Sequence, residues 1–200
     1  MTSFDFNTEL ILEDEVVKLR PLQSSDLDKL LYFSINEPEI WTYSLHPMDG
    51  KENLKRYIDA AIKGRNDKKE FPFIVFDKKE NAYAGSTRFY DIQLDNQTLQ
   101  LGYTWYGKNF QGTGLNKHCK FLLLEYAFEK LQMERVEFRA DNNNQRSIRA
   151  MKSIGCIVEG LLRSNVPVHG GKRRDSIVLS ILKNEWENEV KLLLKSKLLS

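Results

Sequence analysis

Phe110-Gln111-Gly112-Thr113-Gly114-Leu115-Asn116 joins a strand-like segment to the longest helical pattern in this 200-residue chain. Two glycines in three positions let the backbone turn sharply and meet a ligand with no Cβ in the way. The apolar spacing that follows, over about 115–131, is that of an amphipathic helix. The turn therefore presents free N–H groups with a helix dipole behind them, which is an anion site. It can cradle a phosphate, or it can be a plain strand–helix connection. It is not a Walker loop, because GxxxxGK[ST] is absent. It is not GxGxxG either, because Lys117 stands where the third glycine belongs.

Upstream, three strand candidates at 71–76, 83–92 and 98–106 are separated by the short polar turns 77–81 and Asp95-Asn96-Gln97. Close spacing of this kind predicts an antiparallel meander. Before it, 16–22 reads as a first strand ending near Pro21. Two helices follow: one opened by Ser24-Ser25-Asp26, and one after Asp49-Gly50 with Leu54, Tyr57, Ile58, Ala61 and Ile62 on one face. Downstream, 135–139 reads as a strand and 144–154 as a helix stopped by Gly155. Closing strands are expected at 157–162 and 176–182, and a lysine-rich helical tail at 185–199. The order β-α-α-β-β-β-α-β-α-β-β predicts an α/β (α+β) fold with a mixed, mostly antiparallel central sheet flanked by helices. With no repeat or low-complexity linker, residues 1–200 read as one domain, its core at about 16–186.

Composition narrows the function. The net charge is +2, too small to point to nucleic acid. Residues 1–100 carry 13 basic and 18 acidic side chains, net −5, and residues 101–200 carry 17 and 10, net +7. A basic second half suits a phosphorylated ligand; scattered solvated charge is the alternative. Cys119 and Cys156 sit in no CxxC or Cys/His cluster, and His46, His118 and His169 lack metal-ligand spacing, so no metal is expected. His118, within the long helix, reads as a surface residue. Both cysteines read as buried and inert. No apolar run approaches the roughly 20 residues that span a bilayer, and Met1-Thr2-Ser3-Phe4-Asp5-Phe6 is no secretory signal. A cytoplasmic location is expected.

Gln111-Gly112-Thr113-Gly114-Leu115-Asn116 resembles the Q/R-x-x-G-x-G/A motif of the GCN5-related N-acetyltransferase (GNAT) superfamily. Asn144-Gln145-Arg146-Ser147 and Gly155-Cys156-Ile157-Val158-Glu159-Gly160-Leu161-Leu162-Arg163 resemble the N-x-x-S and G-x-x-x-E-G-x-L-R patterns of one branch, that of the ribosomal-protein N-terminal (RimJ/RimL-type) acetyltransferases. Leu19-Arg20-Pro21-Leu22 and Leu101-Gly102-Tyr103-Thr104-Trp105 also fit that branch. The resemblance implies transfer of an acetyl group from acetyl-CoA to a primary amine, by direct attack in a ternary complex. The acceptor is a protein N-terminus or a small amine, and a homodimer is a common state of such proteins. The turn Gln111, Gly112, Thr113, Gly114, Leu115 and Asn116 would bind the pyrophosphate. Thr104, Trp105 and Tyr106 would splay from the neighbouring strand and pair with the pantetheine arm, and Asn144 would reach the cofactor from the next helix. Asn116 departs from the usual Gly or Ala.

Acetyl transfer needs a base for the amine, donors for the oxyanion and an acid for the thiolate. Many family members supply that acid from a Tyr near the position of Met151. The resembled branch offers Ser147, as acid or as a cofactor contact, which can otherwise be a helix cap. Related members often carry a base Glu where Gln100 stands, so water or Glu159 is the candidate base; an ordinary ion pair is the alternative for Glu159. Trp41, Tyr43, Arg88 and Tyr90 are candidates for the acceptor pocket, or for the core. A non-catalytic CoA-binding sensor is the alternative function, supported by Gln100 and Asn116.

Overall fold

The computed structural model describes residues 4–168 and 171–198. His169, the first three residues and residue 199 of the expected tail lie outside them. Among the described residues the chain forms eight strands. These are β1 (Leu12–Glu13), β2 (Val17–Pro21), β3 (Phe71–Asp77), β4 (Ala82–Gln93), β5 (Thr98–Tyr106), β6 (Arg135–Asp141), β7 (Ile157–Pro167) and β8 (Arg173–Leu182). They build one sheet in the order β1-β2-β3-β4-β5-β6-β8-β7. Every pairing is antiparallel except β5 with β6. The meander β3-β4-β5 and the parallel crossover through a helix match the sequence reading. β1, only two residues long, carries too little pattern to be read.

Helices α1 (Leu27–Asn36) and α2 (Lys51–Asn66) pack on each other, α1 against β4 and α2 against β3. Helix α3 (Leu115–Glu125) continues as a π-helical turn, Tyr126–Lys130, so the expected helix to 131 is present but changes pitch. Helix α4 (Gln145–Ser153) follows β6. The tail is helical from Lys183 to Leu198 in three contiguous pieces. It docks through Trp186, fully buried, which stacks on Phe128 with ring centroids 5.6 Å apart and lies 5.9 Å from Phe121. A Trp buried this way stabilises by a few kcal/mol, so the tail belongs to the core.

The decisive irregularity is in β5. It pairs with β6 only at Thr98↔Arg135, Leu99↔Val136 and Gln100↔Glu137. Beyond Gln100 the two strands part. On the β4 side, Ser86↔Trp105 and Arg88↔Gly102 leave Thr87 facing two residues, Tyr103 and Thr104. That is a β-bulge, and Tyr103 sits at φ +49 within it. A bulge bends its strand and strengthens the local twist, which turns residues 101–106 away from β6. Gly85 makes the close approach possible: a Cβ there would lie 2.0 Å from the Trp105 carbonyl oxygen.

Candidate active site

Where β5 and β6 separate, a cleft of about 540 Å³ opens through the sheet. Residues from both faces of β6 line it: Phe138 and Ala140 on one side, Arg139 and Asp141 on the other. The turn at 112–116 and the start of α3 close one end.

That turn is built locally. Gly112 and Gly114 have φ +78 and +93, and a Cβ at either would meet nothing within 4 Å. Glycine is required here by backbone conformation and not by crowding. Thr113 Oγ1 donates to the Phe110 carbonyl at 3.0 Å. Gln111 Nε2 donates to the Tyr106 carbonyl at 2.7 Å, and its Oε1 accepts from Arg146 of α4. Asn116 neither blocks the turn nor points to solvent: its Oδ1 accepts from Tyr106 Oη at 3.2 Å. Lys117 and Arg146 also line this end.

Of the expected cofactor residues, Thr104, Trp105, Tyr106, Gln111, Gly112, Gly114, Asn116, Asn144 and Ser147 all line the cleft. Thr113 is exposed and Leu115 points into the core; both belong to the turn through their backbones. Asn144 Oδ1 accepts from the Ser147 N–H at 3.1 Å, so Asn144 caps α4 and Ser147 is the capped residue. Trp105 Nε1 is buried without a hydrogen-bond partner among the described residues.

The acceptor candidates divide. Tyr43 and Tyr90 line the cleft, whereas Trp41 and Arg88 do not. Trp41 is buried edge-on against Trp105, with ring centroids 4.5 Å apart. The Arg88 guanidinium pairs with Glu70 at 2.6 Å and lies over the rings of Tyr57 (4.7 Å) and Tyr103 (4.1 Å). It braces two tyrosines that do line the cleft. Tyr90 packs edge-on against Tyr103 at 5.0 Å, and burial raises its pKa.

Glu159 is not in the cleft. It forms an ion pair with Arg135 and accepts from Ser180 Oγ at 2.6 Å. The Arg135 guanidinium holds its carboxyl below the ordinary range. Gln100 also lies outside the lining, and its Nε2 donates to Asp91 at 2.8 Å. His118 is buried rather than superficial: Nδ1 meets Asp14 Oδ2 at 2.7 Å. With Glu15 this pair brings three potential ligand atoms within 4.8 Å. Asp14 Oδ1 already accepts from the Val16 and Val17 N–H groups, as in an ordinary turn. Burial pushes the Cys119 and Cys156 thiols up to about 12, so neither is a ready nucleophile.

Sequence reasoning missed Lys120, Tyr57, Tyr103, Arg139 and Asp141, all in the lining. Asp141 is the single carboxylate among the described lining residues. Lys120 is 5% exposed, and its Nζ donates to Thr104 Oγ1 at 2.8 Å. A signal existed: Lys120 interrupts the apolar stripe of α3 between Cys119 and Leu123. The other four depend on long-range pairing and carry no local signature.

A family model described as an acetyltransferase (GNAT) domain matches residues 17–157. A crystal structure of a GCN5-related N-acetyltransferase from Brucella melitensis superposes with a TM-score of 0.87 at 26% identity, over 96% of this chain and 86% of that one. A provisionally named ribosomal N-acetyltransferase (YdaF) of Bacillus subtilis (strain 168) is 32% identical over 110 residues, 55% of this chain and 59% of that protein. The spermidine N(1)-acetyltransferase of Escherichia coli (strain K12) is 24% identical over 175 residues, 88% of this chain and 90% of that protein. Among the described residues no helix is long and apolar enough to cross a membrane. With a cleft between parting strands, a glycine turn at one end of it and a matching family model over most of the chain, this protein belongs to the GNAT family of N-acetyltransferases.

Proposed function

We propose that the protein transfers the acetyl group of acetyl-CoA to a primary amine by direct attack in a ternary complex. The observation that carries this reading is the separation of β5 from β6 beyond Gln100, with residues 112–116 at one end. Among the described residues, 101–106 of β5 have β4 on one side and no paired strand on the other. Unpaired strand edges seek partners, and the pantetheine amides have the matching donors and acceptors. The turn at 112–116, the α3 N-terminus, Lys117 and Arg146 suit the phosphates. Asn144 fixes the start of α4, and the Ser147 hydroxyl hydrogen-bonds the cofactor near its thioester.

The acceptor enters on the side of Tyr43, Tyr57, Tyr90 and Tyr103. Asp141 is the carboxylate within reach of that space and takes the proton lost by the amine, directly or through water. An amine with an ordinary pKa near 8, such as a protein α-amino group, needs little help. The names of the relatives point to different acceptors, ribosomal protein in one case and spermidine in the other, and both classes belong in the test. The departure at Gln100, which spoke for a non-catalytic binder, does not reach the cleft. A cytoplasmic homodimer is part of the same reading. β7 is an edge strand that exposes Ile157, Val158, Leu161 and Leu162, a patch suited to a second copy.

The test is thiol release from acetyl-CoA against N-terminal peptides, polyamines and small amines, with cofactor affinity from calorimetry. Acceptor-dependent release is expected. Binding without release on any acceptor would favour the sensor, and no binding would remove the cofactor site from the cleft.

A further inference from the structure

Lys120 has no role in the reaction as drawn so far, and its position is costly. Taking an ammonium out of water is unfavourable by several kcal/mol unless a counter-charge compensates. Lys120 is 5% exposed, and among the described residues no carboxylate lies within ion-pair distance of it. Its one described hydrogen bond goes to Thr104 Oγ1, which shares a second with Thr87 Oγ1 at 2.7 Å. An ammonium has three N–H groups, so two remain. Nζ lies 5.9 Å from the centre of the Phe138 ring, and the residue faces the cleft. A methionine would fill this space without the charge. The charge itself is explained by something that occupies the cleft.

Position identifies what that is. The phosphates belong to the turn before α3, where Lys117 and Arg146 wait. Lys120 sits four residues beyond Asn116, about 6 Å further along the helix. It reaches across to Thr104, on the unpaired edge of β5. Resting on the acetyl-CoA reading above, we propose that Lys120 is the acid that protonates the departing thiolate of coenzyme A. The acceptor nitrogen forms the C–N bond at the thioester carbonyl carbon. The C–S bond breaks and its electron pair leaves on sulfur. Lys120 Nζ gives that sulfur a proton and becomes a neutral amine. The proton shed by the acceptor nitrogen passes through Asp141 or water to bulk solvent, and solvent water reprotonates Lys120.

The environment suits the task. Burial pulls the Lys120 ammonium down to about 8, close to the ordinary thiol value of about 8.5. Proton transfer between matched groups needs little driving force. The titratable groups facing Lys120 are Cys119 on its own helix and Cys156 before β7, both held up at about 12. Tyr106 on β5, which faces Cys119, is raised by its own burial. None of the three changes charge near pH 8. The working form of Lys120 is the protonated one, so its contribution is complete below its pKa and fades as pH rises through about 8.

The experiment uses the full chain, Lys120→Met and Lys120→Arg, with acetyl-CoA affinity from calorimetry and thiol release from neutral pH to about pH 10. Lys120→Met is expected to melt at or above the parent temperature, because an uncompensated buried charge is gone. Affinity should stay within about threefold, while kcat falls on the order of 10²–10³-fold in both variants and the fall of kcat above pH 8 disappears. Arginine keeps the charge but does not release its proton. A further readout needs no variant: the ultraviolet absorbance of the thiolate, with free coenzyme A bound to the parent, should appear at lower pH than in solution. The assignment is overturned if Lys120→Met turns over like the parent, if Lys120→Arg restores the rate, or if affinity falls as far as rate, as a phosphate ligand would require. Failure of the parent itself to bind acetyl-CoA would overturn the function proposed above, and this role with it. Parent turnover matched by Lys120→Met would overturn this role alone.

Discussion

Arg88 and Lys120 are buried cations on two sides of the same cleft, and the fold treats them in opposite ways. Arg88 is neutralised at 2.6 Å by Glu70 and sandwiched between Tyr57 and Tyr103. Its charge is used up in holding the aromatic side. Lys120 has a hydroxyl and the Phe138 ring for company and no described counter-ion. A cation whose charge is neutralised by its own protein is a brace; a cation left for a ligand is part of the chemistry. The contrast also separates the two sides. Around Arg88 the groups hold one another, whereas beside Lys120 the strand edge has no paired strand among the described residues and the ammonium has the Thr104 hydroxyl but no described counter-ion.

The largest expected effect falls on the brace. Arg88→Ala leaves Glu70 partly buried without its partner and removes the plane between two rings. Denaturant unfolding should show a loss of about 3 kcal/mol, and a loss near zero would mean that Arg88 is no more a brace than Lys120. Next comes the phosphate end. Gly112→Val or Gly114→Val forces a β-branched residue to positive φ and puts a side chain where a backbone should meet an anion. Acetyl-CoA affinity should fall at least about tenfold, or 1.4 kcal/mol. If both variants bind like the parent in calorimetry, the phosphates lie elsewhere and the assignment of Lys120 to the sulfur loses its landmark. Ser147→Ala should slow thiol release by about fivefold, the worth of one hydrogen bond, with little change in affinity. Unchanged turnover would leave Ser147 as a residue of the helix start and Lys120 as the acid alone. The smallest effect is expected at Glu159→Gln. Its pair with Arg135 is exposed and outside the cleft, so turnover should hold and stability should change by no more than about 1 kcal/mol. A marked loss of kcat would bring Glu159 back as the base.

The glycine turn at the end of the cleft was legible in sequence because it is made of neighbours. Gly112, Gly114 and the helix that follows lie within a few residues, and their geometry follows from backbone conformation and the helix dipole. The same holds for Asn144 and Ser147, separated by one turn of α4. The aromatic side was read only in part. Tyr43 and Tyr90 reach the cleft, but Trp41 and Arg88, equally plausible by residue type, are taken up by Trp105 and Glu70. A side chain's partners more than a turn away are invisible in a linear pattern. Glu159 shows the same limit: although it lies within a matching motif, its pairing was decided by Arg135, 24 positions away.

The sequence by itself determined the class of the fold, the order of its long elements and the glycine turn before α3, because periodicity and glycine act over short range. Tertiary structure alone decided where β5 leaves β6, through a bulge opposite Thr87 and the close passage of Gly85 under Trp105. It also decided which cation would be paired and which would face the cleft. Both are matters of register and packing between segments far apart in the chain. A one-residue change in pairing reverses the face on which a side chain lies.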